Sequence, residues 1–229
     1  MNSVQTLTGM VRSPRQTLAA ALARPRPWRL AVLIVSIAAV CSAGFLMTRT
    51  GRLAGLDQQV RQLESVGVVV NDHVYAELRA WQPYRPLIAA ATILAGWPLL
   101  WTVVAAVILA MGRRAAPDVT FADVFTVLVY ASYVFALRAV VAVPINYARE
   151  SLGGATSLAV LVPGLGDGTF AARLLGAMDI FALWWMALAA VGLGMLYRTG
   201  AMSMARWLLG AYATGAAALA LTQALRGGV

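Results

Sequence analysis

Five apolar stretches alternate with polar connectors along this chain, at about 30–48, 87–111, 124–143, 174–196 and 207–225. Crossing the hydrocarbon core of a bilayer as a helix takes about 20 apolar residues, so each stretch is long enough to span. The pattern predicts an all-α, polytopic integral membrane protein built as a five-helix transmembrane bundle. Two charged residues, Arg138 and Asp179, fall inside the stretches.

The connectors carry their own signals. Residues 1–29 form a basic head with Arg12, Arg15, Arg24, Arg26 and Arg29 and no acid. Ser13-Pro14-Arg15-Gln16 reads as a helix start, with Ser13 at the N-cap, Pro14 at the first helical position and Gln16 reaching back. That helix stops at Pro25. Val4, Leu7, Met10 and Val11 precede it at helical spacing, and such a basic, part-apolar segment can lie on an anionic membrane surface. The first stretch could pass for a signal peptide ending near Cys41. The apolar run continues to Met47 and four more spans follow, so we read it as an uncleaved span.

Residues 49–86 are the longest polar connector. Leu53, Leu56, Val60, Leu63 and Val66 recur at spacings of three and four, which predicts an amphipathic helix ended by Gly67. A second short helix is expected over 72–81. Pro83 and Pro86 then break helix, and Trp81 and Tyr84 are residue types that anchor at headgroup level. Pro98 is expected to kink the second span and Pro144 to end the third. Residues 145–172 read as a half-apolar interfacial loop. The expected layout is a cytoplasmic head, 1–29, and a membrane domain, 30–229, with 49–86 as an extracytoplasmic helical connector.

Charge sets the orientation. With the head inside, that side holds Arg113, Arg114, Arg198 and Arg206 besides the five head arginines. The opposite side holds nearly as many, spread over longer loops among acids. Five arginines packed just before the first span predict an N-terminus in the cytoplasm and a C-terminus outside.

Composition agrees: 61% of residues are hydrophobic and 12% charged, where a soluble domain carries about a quarter charged. The net charge of +9 is what oriented spans require and does not indicate nucleic acid. Cys41 is the single cysteine, so no disulfide forms within the chain.

Candidate chemistry is sparse. Arg138 and Asp179 lie on consecutive antiparallel spans at a matching depth, about 7 to 10 Å below the outer surface at about 1.5 Å per residue. A lone intramembrane charge is costly and pairing lowers the cost, so the two are expected to form a structural ion pair between spans three and four. A proton relay is the functional rival, but no second station is present. Gly164, Gly166 and Gly168 lack the strand and the Lys-Ser/Thr of a phosphate loop. Asp72, His73 and Glu77 fall short of a zinc set, and His73 is outside the spans, which removes intramembrane Ser–His chemistry. No catalytic set, cofactor or metal is expected. Gly210, Thr214, Ala218 and Thr222 form a small-residue ridge suited to close helix packing, within the chain or in a dimer seam.

The last third, "SLAVLVPGLGDGTFAARLLGAMDIFALWWMALAAVGLGMLYRTG", resembles the bacterial branch of the Yip-domain family: an apolar loop, then Asp179, Phe181 and Trp184 opening a span, and an apolar run to Gly192 and Leu193. The head, "MVRSPRQTLAAALARPRPWR", is similar to the family's Pro-containing N-terminal segment. The resemblance implies five spans with a cytoplasmic N-terminus, in a bacterial inner membrane. Eukaryotic members bind Rab-type GTPases, but their DLYGP signature is absent here, so that partner does not carry over. The expected function is a non-enzymatic membrane scaffold or bilayer-organising factor, whose partners are the bilayer and other membrane proteins or further copies of itself. The alternative is a small transporter or permease component using Arg138 and Asp179.

Overall fold

The computed structural model describes residues 3–65, 67–152, 154–162 and 169–226, and their regular elements are helices with no β-strand among them. The head forms α1 (Ser3–Arg12) and α2 (Pro14–Ala23). Pro14 stands at the helix start as expected, but the Ser13 hydroxyl caps nothing. The Thr17 hydroxyl instead donates to the Ser13 carbonyl at 3.1 Å. Then follow α3 (Pro27–Met47), α4 (Arg49–Ser65) and α5 (Asp72–Ala80). Gly67, just past α4, has φ +83, a conformation open to glycine. A 3-10 turn at Gln82–Tyr84 leads into α6 (Arg85–Gly112), which runs on through Pro98.

The third and fourth stretches are each broken, against expectation. The third divides into α7 (Phe121–Ala131) and α8 (Tyr133–Ala148) at Ser132. Thr120 and Asp123 cap α7 reciprocally. Pro144 does not end the span: it lies inside α8. The helix loses one hydrogen bond there, close to its end, and Arg149 N still donates to Ile145 O at 2.9 Å. The fourth stretch divides into α9 (Phe170–Ala177) and α10 (Ile180–Leu196). The last helix is α11 (Ala201–Arg226).

The break before α10 has a cause in the preceding loop. Ser157 and Asp179 pair as an isolated antiparallel bridge, with Leu158 N on Met178 O at 2.8 Å and Ile180 N on Thr156 O at 3.0 Å. Backbone that leaves a helix must find other hydrogen-bond partners, and this bridge supplies them. Asp179 therefore sits just ahead of a helix, not five residues into one.

Three helical segments are long and apolar enough to cross a membrane: Pro27–Met47, Asp72–Gly112 and Phe121–Ala148. The apolar α10 is 17 residues long. Along α6, Trp101, Ala105 and Ile108 are buried at a spacing of four and three, while Leu87 and Leu99 are 71% and 65% exposed. A helix apolar on its exposed face as well suits hydrocarbon, not water.

The chain divides into two compact units. One gathers Met1–Ile37, Ile93–Leu137 and Phe181–Ala211. In it α2 packs on α7, and Leu18, Val124, Val127, Leu128 and Leu193 are buried. Trp97, Phe135 and Trp185 form a ring cluster, with centroids 4.6 Å and 6.1 Å apart. Tyr197 is buried and donates to Ile108 O at 3.3 Å. Burial pushes its phenol above the ordinary value, so it remains a donor at neutral pH.

The other unit gathers Ala38–Thr92, Arg138–Ile180 and Tyr212–Val229. Here α4 packs with α5, and α9 with a 3-10 turn at Leu158–Leu161. The buried face of α4 differs from the expected stripe. Gly51, Ala54, Gly55 and Leu56 are buried, while Leu53 is 55% exposed. Small residues let the α4 backbone come close: Gly55 leaves Leu46 Cδ2 and Leu152 Cδ1 at 3.2 and 3.4 Å from where a Cβ would stand. Val66 lies outside the described residues.

Candidate functional site

The two charges of the apolar stretches meet in one polar cluster. Arg138 projects from α8, and its Nε lies 2.9 Å from Asp179 Oδ2. Thr156, from the loop that pairs with residues 178–180, stands between them. Its hydroxyl accepts from Arg138 Nε at 3.2 Å and donates to Asp179 Oδ2 at 2.5 Å. Tyr212 closes the cluster from α11. Its hydroxyl accepts from Asp179 N at 3.2 Å and donates to Ala177 O at 3.3 Å.

Each member has a local reason for its place. The bridge between residues 156–158 and 178–180 fixes the backbone on which Thr156 and Asp179 stand. A hydroxyl can donate and accept at once, so Thr156 satisfies both charged neighbours. It is 9% exposed. The Arg138 and Asp179 side chains are 43% and 21% exposed, so the pair sits at the edge of the packed interior. An acid, a guanidinium, a hydroxyl and a phenol bound mostly to one another make a cross-link between α8, the loop, the start of α10 and α11.

The sequence pointed to Arg138 and Asp179 but not to Thr156 or Tyr212. Tyr212 carried a signal, as the one tyrosine in the fifth apolar stretch. Thr156 carried none, because its role depends on a loop folding back. Ser132 and Trp185 were also missed: Trp185 Nε1 donates to Ser132 Oγ at 2.9 Å, at the break between α7 and α8.

The other candidates scatter. Leu208 and Ala216 are buried and Tyr212 is half-buried on one face of α11. Gly210, Thr214, Ala218 and Thr222 are offset from that face by two residues and are exposed. Pro98 accepts at its carbonyl from the Thr102 hydroxyl at 2.8 Å. Asp72 and His73 open α5 and Glu77 follows on it. No group of three metal-binding side chains occurs among the described residues. Gly164, Gly166 and Gly168 lie outside the described residues.

A family model, the Yip1 domain, matches residues 8–222, nearly the whole chain. The chain belongs to the Yip1 domain family. The match takes in the polar cluster, both breaks and α2, and with the apolar helices it makes this a membrane protein of Yip1 type. No curated protein and no solved structure matches it.

Proposed function

We propose that this Yip1-domain protein is a non-enzymatic scaffold of the bacterial inner membrane, crossing it five times with its N-terminus in the cytoplasm and its C-terminus outside. It organises the bilayer or assembles other membrane proteins, or further copies of itself, around it. The observation that carries the reading is the closure of the intramembrane cluster. Asp179 is held through its carboxylate by Arg138 and Thr156 and through its backbone by Tyr212. A substrate path needs polar groups that can exchange partners along its length, whereas these four groups tie three helices and a loop together. The Arg138–Asp179 pair is thus a clamp, and transport is the weaker reading.

Crossing five times is supported by the five apolar stretches, each long enough to span as a helix.

The test is functional and biochemical together. Protein extracted in mild detergent is expected to bring membrane proteins or further copies of itself with it, and liposomes containing it to show no solute flux. Asp179→Ala is expected to impair assembly, and exchange of the two charges (Arg138→Asp with Asp179→Arg) to restore part of it. A solute flux abolished by Asp179→Asn in a protein that still assembles would overturn the scaffold reading in favour of transport.

A further inference from the structure

A groove of about 560 Å³ lies where the end of α3 meets the start of α4, the 3-10 turn and the start of α6. Leu46, Met47, Pro86 and Leu87 make much of its apolar wall, and Arg52 and Gln82 are polar members of the same wall. Among the described residues the only salt bridge is Arg138–Asp179, so no described carboxylate pairs with Arg52. Next to the groove, Trp81 and Tyr84 are 59% and 58% exposed, with ring centroids 5.8 Å apart. Aromatics of this kind settle at the headgroup level of a membrane, which puts the polar end of the groove among headgroups and its apolar wall against hydrocarbon.

We propose that this groove seats one anionic phospholipid, with its phosphate oxygens accepting from the Arg52 guanidinium and an acyl chain lying along Leu46, Met47 and Leu87. The charge fits, because an exposed guanidinium with no ion-pair partner among the described residues complements a phosphate. The shape fits, because inorganic phosphate cannot cover the apolar wall and a bare hydrocarbon cannot pair with the guanidinium. A zwitterionic lipid brings its own ammonium to the same phosphate and gains less. The seat requires that the chain lie in a membrane, and is independent of the scaffold reading.

The test is thermal unfolding of the full-length protein in detergent micelles, titrated with dioleoylphosphatidylglycerol, dioleoylphosphatidylcholine or inorganic phosphate. The glycerol lipid is expected to raise Tm by several degrees, the choline lipid by less and inorganic phosphate not at all. Arg52→Gln and, by filling the groove, Leu87→Trp should each raise the half-saturating concentration of the glycerol lipid about tenfold, which corresponds to about 1.4 kcal/mol. Helix content by circular dichroism checks each variant. Should Arg52→Gln lose it, Arg52→Lys keeps the charge, loses the fork and should give an intermediate response. The proposal is overturned if the choline lipid or phosphate stabilises as strongly as the glycerol lipid, or if the folded variants respond like the wild type.

Discussion

Gly192 lets α10 approach α7 closely. A Cβ at that position would stand 2.5 Å from Val127 Cγ1 and 3.3 Å from Leu18 Cδ1. Val127 and Leu18 are fully buried, so neither has room to retreat. Gly192→Ala should therefore lower stability by about 1–3 kcal/mol through overpacking, read as a drop in the midpoint of thermal or denaturant unfolding in detergent. Gly96, on α6, meets nothing within 4 Å. Gly96→Ala is the internal contrast and should be neutral or stabilising by up to about 1 kcal/mol, from helix propensity alone. Thr156 is limited by chemistry, not by space. Thr156→Val keeps the shape and removes the donor to Asp179 and the acceptor for Arg138. Hydrogen bonds to charged groups contribute about 1.5–3 kcal/mol. The partly exposed pair recovers some of this from water, so a loss of about 1–2 kcal/mol is expected by the same measurement. Thr156→Ser should retain most of the stability, and a Thr156→Val protein as stable as wild type would show that the hydroxyl is not part of the clamp.

At the scale of the element, the two broken spans show what a hydrophobic pattern carries and what it omits. Hydropathy located the three long apolar segments, Pro27–Met47, Asp72–Gly112 and Phe121–Ala148, because burial in lipid acts on the average of some twenty side chains. It could not locate Ser132 or residues 178–179, because each break depends on partners remote in sequence. The α7–α8 turn is closed by Ser132, whose hydroxyl donates to Leu128 O at 2.7 Å and accepts from Trp185 Nε1, 53 residues away. The pairing ahead of α10 needs the loop around Ser157, and no periodicity encodes a single bridge. Arg138 and Asp179 were legible as a pair because two intramembrane charges at similar depth have few alternatives, even though the helical frame assumed for Asp179 was wrong. Pro144 misled for a related reason: proline disfavours a helix locally, and α8 absorbs that cost near its end. The Ser132–Trp185 contact is open to measurement. Trp185→Phe and Ser132→Ala, alone and together, form a double-mutant cycle whose coupling energy is expected to be about 0.6 kcal/mol, the average for hydrogen bonds between membrane helices, and at most about 1.7 kcal/mol. Additive effects would mean that the break is held by packing of Phe135 and Trp97 and not by the hydrogen bond.

For the molecule as a whole, the proposal to be tested is five crossings with the N-terminus inside, which the five apolar stretches and the five arginines of the head support. Single cysteines can test both statements together. The native Cys41 lies within α3 and is replaced first, by Cys41→Ser. In intact bacteria, a membrane-impermeant maleimide should label Val69→Cys and Arg149→Cys, and should label Arg114→Cys and Thr199→Cys only after the inner membrane is opened. All four positions are exposed in the folded chain, so failure to label reports sidedness and not burial. Reversal of the whole pattern would invert the orientation and leave five crossings intact. Labelling of Val69→Cys and Arg149→Cys on opposite sides would instead mean that α6 or the α7–α8 span does not cross, and the five-span reading would fall.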